Sequence, residues 1–114
     1  MEGLTVTVEK KGKIVIFRCT GFIDSETSNE IEKALTDSIN AKIYKIIIDL
    51  SKIDYVSSAG WGIFVGYVQD MRKNKGDLKF ACMKKEVLEI FELLDFTNIL
   101  EYYGDVESAA KAFK

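Results

Sequence analysis

The chain has 114 residues and a formal net charge of −2, with 16 basic and 18 acidic residues well mixed along it. That length suits a single domain, 1–114, large enough to bury a core, while the lack of a basic block or stripe argues against nucleic acid and anionic membrane surfaces, and no apolar stretch could span a bilayer. There is no histidine, which removes the usual general base and the commonest transition-metal ligand, and Cys19 and Cys82 lack metal-ligand spacing and read as small buried hydrophobes.

The opening residues, Met1-Glu2-Gly3-Leu4, lack the basic start and apolar run of a signal peptide, so the expected location is the cytoplasm. Leu4 to Glu9 alternates apolar and polar, the pattern of a half-buried strand. Lys10 to Lys13 is a turn, and Ile14 to Thr20 is a second strand that Gly21 ends. Strands joined this tightly are antiparallel and form a hairpin. Asp24-Ser25-Glu26-Thr27 offers several helix N-caps, and Thr27 with Glu30 has capping-box spacing. The first helix then carries Ile31, Ala34, Leu35 and Ile39 on one face.

Tyr44 to Leu50 is apolar on both faces at its centre, which marks an interior parallel strand. A short polar turn, Ser51 to Val56, leads to a second helix with Trp61, Phe64, Val65, Val68 and Met71 at helical intervals. Leu78 to Met83 reads as a strand, and Lys85 to Leu94 as a helix with Val87, Ile90, Phe91 and Leu94 facing the core. A short strand, Ile99 to Tyr102, precedes a last helix capped at Gly104-Asp105. The order is ββαβαβαβα, an α/β fold with a mixed sheet, an N-terminal antiparallel hairpin and about four helices.

Ser57-Ser58-Ala59-Gly60-Trp61-Gly62 is the most informative segment. It places two hydroxyls at a helix mouth, where backbone N–H groups lack partners and the dipole favours negative charge. Alanine and two glycines keep the surroundings thin, so another protein can approach the backbone. Trp61 is expected to be partly exposed as a partner contact. Gly62 and Gly66, four apart, read as allowing close helix packing. Asp49 and Asp54 read as loop carboxylates or turn caps.

The order and spacing of several segments resemble the STAS domain family, and more narrowly its stand-alone bacterial anti-sigma factor antagonists. The resemblance rests on Gly21-Phe22-Ile23-Asp24, the run Ile46 to Tyr55, Ser58-Ala59-Gly60-Trp61-Gly62, and Val87 to Leu100. It implies a protein that binds an anti-sigma factor, itself a serine kinase of the histidine-kinase ATPase fold, and so releases a sigma factor. Phosphorylation of the serine ends that binding, and a PP2C-type phosphatase restores it. By motif position the acceptor is Ser58, with Ser57 as the alternative, and Asp24, Ser57, Ser58, Ala59, Gly60, Trp61 and Gly62 form the partner-binding surface. No cofactor is implied. Asp24 serves as kinase contact, as N-cap, or as both. The chain departs from the family pattern in carrying Ser57 where an aspartate is usual and Ala59 where a second hydroxyl is common.

The same residues also fit other classes of protein. A serine on a strand-to-helix turn is also how a nucleophile elbow is built, but nothing here can activate it, so no enzyme is expected. A receiver-type domain would need an acidic pair after its first strand. The same fold could also act as a non-phosphorylated STAS module, a structural or signalling subunit of a larger complex.

Overall fold

The computed structural model describes residues 3–113. The hairpin forms as the alternation predicts, from β1 (Leu4–Lys11) and β2 (Ile14–Ile23), antiparallel with Lys11 opposite Ile14. That pairing leaves a two-residue turn, and Gly12 takes the positive φ (65°) that such turns need. After α1 (Ser28–Asn40), the chain alternates β3 (Lys45–Val56), α2 (Ser58–Lys73), β4 (Asp77–Ala81), α3 (Lys85–Leu93), a 3-10 turn (Phe96–Asn98), β5 (Glu101–Tyr103) and α4 (Val106–Ala112). The strands lie in the order β1-β2-β3-β4-β5, with every pair after the hairpin parallel. This is the predicted ββαβαβαβα architecture.

Two cores separate by sheet face. The larger packs α1, α2 and α3 against one side, joining Ile31 and Leu35, Trp61, Phe64 and Val68, and Val87 and Phe91 to Phe17, Ile46, Ile48 and Phe80. On the other side α4 covers Ile16, Ile47 and Ala81 through Ala109. Burial on both sides explains the unbroken apolar run at the centre of β3.

Several boundaries differ from the sequence reading. β2 does not stop at Gly21 but runs to Ile23. Gly21 has φ 116°, and a side chain there would run into the Gly3 carbonyl. Residues 51–56 are not a turn: β3 continues through them. Two register shifts place extra residues on β3, one opposite Arg18–Thr20 and one opposite Gly21–Phe22. Such bulges break the alternation that marks a strand, leaving Leu50, Ile53 and Val56 inward at every third residue. The last strand begins at Glu101 rather than Ile99. On α3 only Val87 and Phe91 are buried, whereas Ile90 and Leu94 are 38% and 39% exposed.

Candidate functional site

β4 ends at Ala81, opposite Asp49, while β3 continues to Val56 beside β2. A two-stranded ribbon, 20–23 against 52–56, therefore overhangs the sheet and delivers the chain to α2. The Ser57 N–H donates to the Ile23 carbonyl at 2.9 Å, which fixes the start of the helix to the end of β2.

The two serines are not equivalent. Ser57 is the N-cap: its hydroxyl accepts the Gly60 N–H at 3.0 Å, and its carbonyl accepts the Trp61 N–H at 3.0 Å. Ser58 is the first residue of α2 and is exposed. Among the described residues its hydroxyl makes no hydrogen bond. The cap uses one hydroxyl and leaves the other to solvent, at the positive end of a 16-residue helix.

Around Ser58, Ala59 and Gly62 are exposed and Gly60 is buried. A Cβ on Gly60 would stand 3.0 Å from the Ile23 carbonyl oxygen and 3.1 Å from both Ile23 and Val56 side chains. Gly60 thus lets α2 settle on the ribbon. A Cβ on Gly62 or Gly66 would meet nothing within 4 Å. The expectation that this pair allows close helix packing fails within the chain: both face solvent.

Asp24 directly follows the Ile23 anchor. Its Oδ1 accepts the N–H groups of Glu26 (2.9 Å) and Thr27 (3.0 Å). Asp24 therefore closes a turn rather than capping the helix, a role its short side chain suits. Thr27 occupies the N-cap position of α1 but makes no side-chain cap bond. Its hydroxyl donates to the Phe22 carbonyl (2.9 Å) and accepts the Asp24 N–H (2.9 Å), so the predicted capping box does not form. These hydrogen bonds tie the corner together, and the Ile23–Ser57 bond holds it beside the mouth of α2.

Trp61 is not partly exposed; its exposure is 0%. Its ring lies 5.0 Å from Phe91, 5.5 Å from Phe80 and 5.9 Å from Phe64 and Phe96, centroid to centroid. The helix turns Trp61 inward with Phe64 and Val68, and the flanking glycines do not change that phase. Among the described residues its indole N–H has no hydrogen-bond partner. Trp61 supports the serine loop from beneath.

Two features of the rim escaped the sequence reading. Tyr55, at the last bulge, is 52% exposed. Asp54 pairs with Lys84 at 2.5 Å, tying the overhang to the start of α3. Asp49 and Asp54 are both strand residues of β3, not loop carboxylates, and Asp49 is nearly buried. Burial pushes its carboxyl up, but the Ser51 N–H and hydroxyl and Arg18, at 2.6 Å, outweigh that and hold it below the usual carboxylate range. Among the described residues no group of three or more cysteine, aspartate or glutamate side chains is placed to hold a metal ion. Among them, too, no helix is long and apolar enough to cross a membrane.

Comparison with known proteins places this geometry. The STAS domain family matches residues 5–109, and the chain belongs to that family. It is 28% identical over 111 residues to BtrV of Bordetella bronchiseptica, a proposed anti-sigma factor antagonist, a match spanning 97% of this chain and 96% of that one. The structure of an anti-sigma factor antagonist from Mycobacterium paratuberculosis superposes with a TM-score of 0.88 at 20% identity, covering 98% of this chain and 95% of that one. The anti-sigma factor antagonist SpoIIAA superposes in its unphosphorylated form with a TM-score of 0.72, at 15% identity over 95% of this chain and 96% of that one. The phosphorylated form of SpoIIAA, a Bacillus cell fate determinant, gives 0.71 at 14% identity over 95% and 99%.

Proposed function

We propose that this STAS domain is an anti-sigma factor antagonist whose docking surface is turned off by phosphorylation of Ser58. The observation that carries the reading is the division of labour between Ser57 and Ser58. One hydroxyl caps α2 and the other is exposed at its first position, within reach of a visiting kinase. The names borne by BtrV and SpoIIAA, and the existence of SpoIIAA in both phosphorylation states, support it.

The partner is an anti-sigma factor that is also a serine kinase of the histidine-kinase ATPase fold. It docks on Asp24 and on Ser57 to Gly62, with Gly60 and Trp61 shaping that surface from within. Phosphorylation adds about −1.5 to −2 charge and three acceptor oxygens. The helix N-terminus tolerates that charge, so the domain stays folded. At an apolar interface the same charge must be desolvated. A loss of ~3 kcal/mol weakens binding more than a hundredfold. A PP2C-type phosphatase resets the switch. The protein acts by binding, not catalysis, in the cytoplasm.

The test is incubation of the purified chain with native lysate and ATP, followed by phosphosite mapping and capture of the bound kinase. Phosphate is expected on Ser58 alone. Ser58→Ala should retain the kinase and Ser58→Glu should release it. Phosphate on Ser57 instead would move the switch to the alternative acceptor, whereas binding and phosphorylation indifferent to both substitutions would favour a non-phosphorylated STAS module within a larger complex.

A further inference from the structure

Seven large apolar side chains are exposed among the described residues, and five of them cluster in the chain: Ile90 and Leu93 on α3, Leu94 at its C-cap, then Ile99 and Tyr102. Leu93 is 77% exposed, the highest of the seven. Positions 90, 93 and 94 share one helix face. The Tyr102 ring meets Phe91 edge-on at 5.1 Å, which brings β5 alongside α3. Beneath lie Trp61, Phe91 and Phe96, with ring centroids 5.0 to 6.4 Å apart, so the floor of the patch is already built.

Its border is acidic. Glu86, Glu89, Glu92 and Asp95 are exposed, and none is in an ion pair among the described residues. Of the cations nearby, Lys84 is engaged by Asp54, and Arg72, which donates to the Ile99 carbonyl, is engaged by Asp77; exposed Lys85, at the first position of α3, is outnumbered by the four carboxylates. An apolar ridge thus runs beside a row of carboxylates outside any ion pair among the described residues, of which Asp95 accepts the Asn98 side-chain N–H at 3.2 Å.

We propose that this face docks an amphipathic helix of a partner protein, one carrying lysine or arginine beside its apolar stripe. Spacing of three and four residues is the ridge that a second helix packs against. The carboxylates complement a cationic flank and disfavour an acidic one. They also repel an anionic membrane surface. A second copy using the same patch would set like carboxylates against each other across a two-fold interface. The face excludes Ser58, so the proposal stands apart from the phosphorylation switch.

The probe is a pair of synthetic helical peptides sharing one leucine stripe, one flanked by lysine and the other by glutamate. Each is titrated into the isotope-labelled full chain and followed by backbone amide NMR and by emission of Trp61, the single tryptophan. Binding of the lysine peptide is expected at least tenfold tighter, with shifts confined to residues 85–102 and the aromatic floor. Leu93→Ser should weaken it at least tenfold at unchanged Tm. Glu89→Lys combined with Glu92→Lys should reverse the charge preference. Equal affinity for both peptides, no saturable shifts, or shifts elsewhere would overturn the proposal. So would self-association of the chain that Leu93→Ser abolishes, since the occupant would then be a second copy.

Discussion

Lys79 and Glu101 face each other across the β4–β5 pair with Nζ 2.6 Å from Oε1, although Lys79 is only 5% exposed. Asp77 adds a second carboxylate at 3.2 Å, and the ammonium lies 5.0 Å from the Phe113 ring centroid. Burial lowers the lysine pKa, but Glu101 and Asp77 outweigh it and raise the group above its ordinary value. This pairing secures a final strand of three residues. Glu101→Ala should therefore destabilise the fold by about 1–3 kcal/mol, because a buried ammonium loses its nearest acceptor. Lys79→Met should cost less than that, because it removes the buried charge itself. Urea midpoints of the two variants check the order; an unchanged midpoint for Glu101→Ala would show that Asp77 alone suffices.

The two serines of the α2 entrance should separate stability from signalling. Ser57→Ala removes the cap bond to Gly60 and should cost about 1 kcal/mol. Ser57→Asp should keep that stability, since aspartate caps as well as serine does. Ser58→Ala breaks no hydrogen bond among the described residues and should leave Tm nearly unchanged while abolishing phosphorylation. Thermal melts of the three variants, each paired with a phosphorylation assay, test this directly. A large Tm loss for Ser58→Ala would assign that serine a structural role.

Glycine substitutions probe the same entrance by shape. Gly60→Ala forces a methyl against Ile23 and Val56, and overpacking of this kind costs about 1–3 kcal/mol. Gly62→Ala meets open space, so helix propensity should dominate and stabilise the chain by roughly 0.5–1 kcal/mol. If Gly62 belongs to the docking surface, the same stabilised variant binds its partner less well. Gly66→Ala serves as the control, with the stability gain and no loss of binding.

The central strand, the order of elements and the serine entrance were legible because each rests on a local rule. Ile46, Ile47 and Ile48 are apolar on consecutive residues, and Asp105 caps α4 by accepting the Ser108 N–H at 2.7 Å. What escaped the sequence reading depends on contacts far along the chain. The bulges in β3 erase its alternation, so residues 51–56 look like a turn. Thr27 has a capping residue's chemistry, but Phe22 and Asp24 occupy its hydroxyl. Trp61 could have been placed correctly, because it continues the inward phase of Phe64, Val68 and Met71. The burial of Lys79 had no local signal, since it needs β5 and the end of α4 to be in place.

With no histidine, the pH response should be flat near neutrality and bounded by other groups. Burial first, then the charge of Asp49, pushes the Cys19 thiol up to about 12. The Cys82 thiol is raised as well, again chiefly by burial. In the unfolded chain a thiol ionises near ~8.5. Above that pH the unfolded state loses protons that the folded state retains. The stability is therefore fully present below ~8.5 and falls as pH rises towards the folded value, by at most ~1.4 kcal/mol per pH unit for each thiol. Urea midpoints under reducing conditions should decline from about pH 8.5, before the lysines titrate. Cys19→Ala should make that decline shallower, and an identical slope would rule out the thiol as its origin. On the acid side, Asp49 is held low, so its contribution should be lost only as pH falls below the ordinary carboxylate range, ~4.

Lysine stands where glycine is usual at the ends of two helices. After α1, Lys42 has φ 62°, with its N–H on the Ile39 carbonyl and the Ile43 N–H on the Ser38 carbonyl. After α2, Lys75 has φ 67°, with its N–H on the Arg72 carbonyl and the Gly76 N–H on the Met71 carbonyl. Both are Schellman closures, which place their left-handed residue just past the helix. The left-handed backbone costs an L-residue roughly 1–2 kcal/mol, while the cationic side chain recovers about 0.3–1 kcal/mol from the helix dipole. The strain exceeds the recovery at both positions. Lys42→Gly and Lys75→Gly should each raise stability by a few tenths to about 1 kcal/mol, and because both positions line one groove beside Tyr44 the double variant measures their coupling. Chemical denaturation of the single and double variants measures this. A loss of stability in either would mean that the lysine side chain contributes more than its place at the end of the helix dipole accounts for.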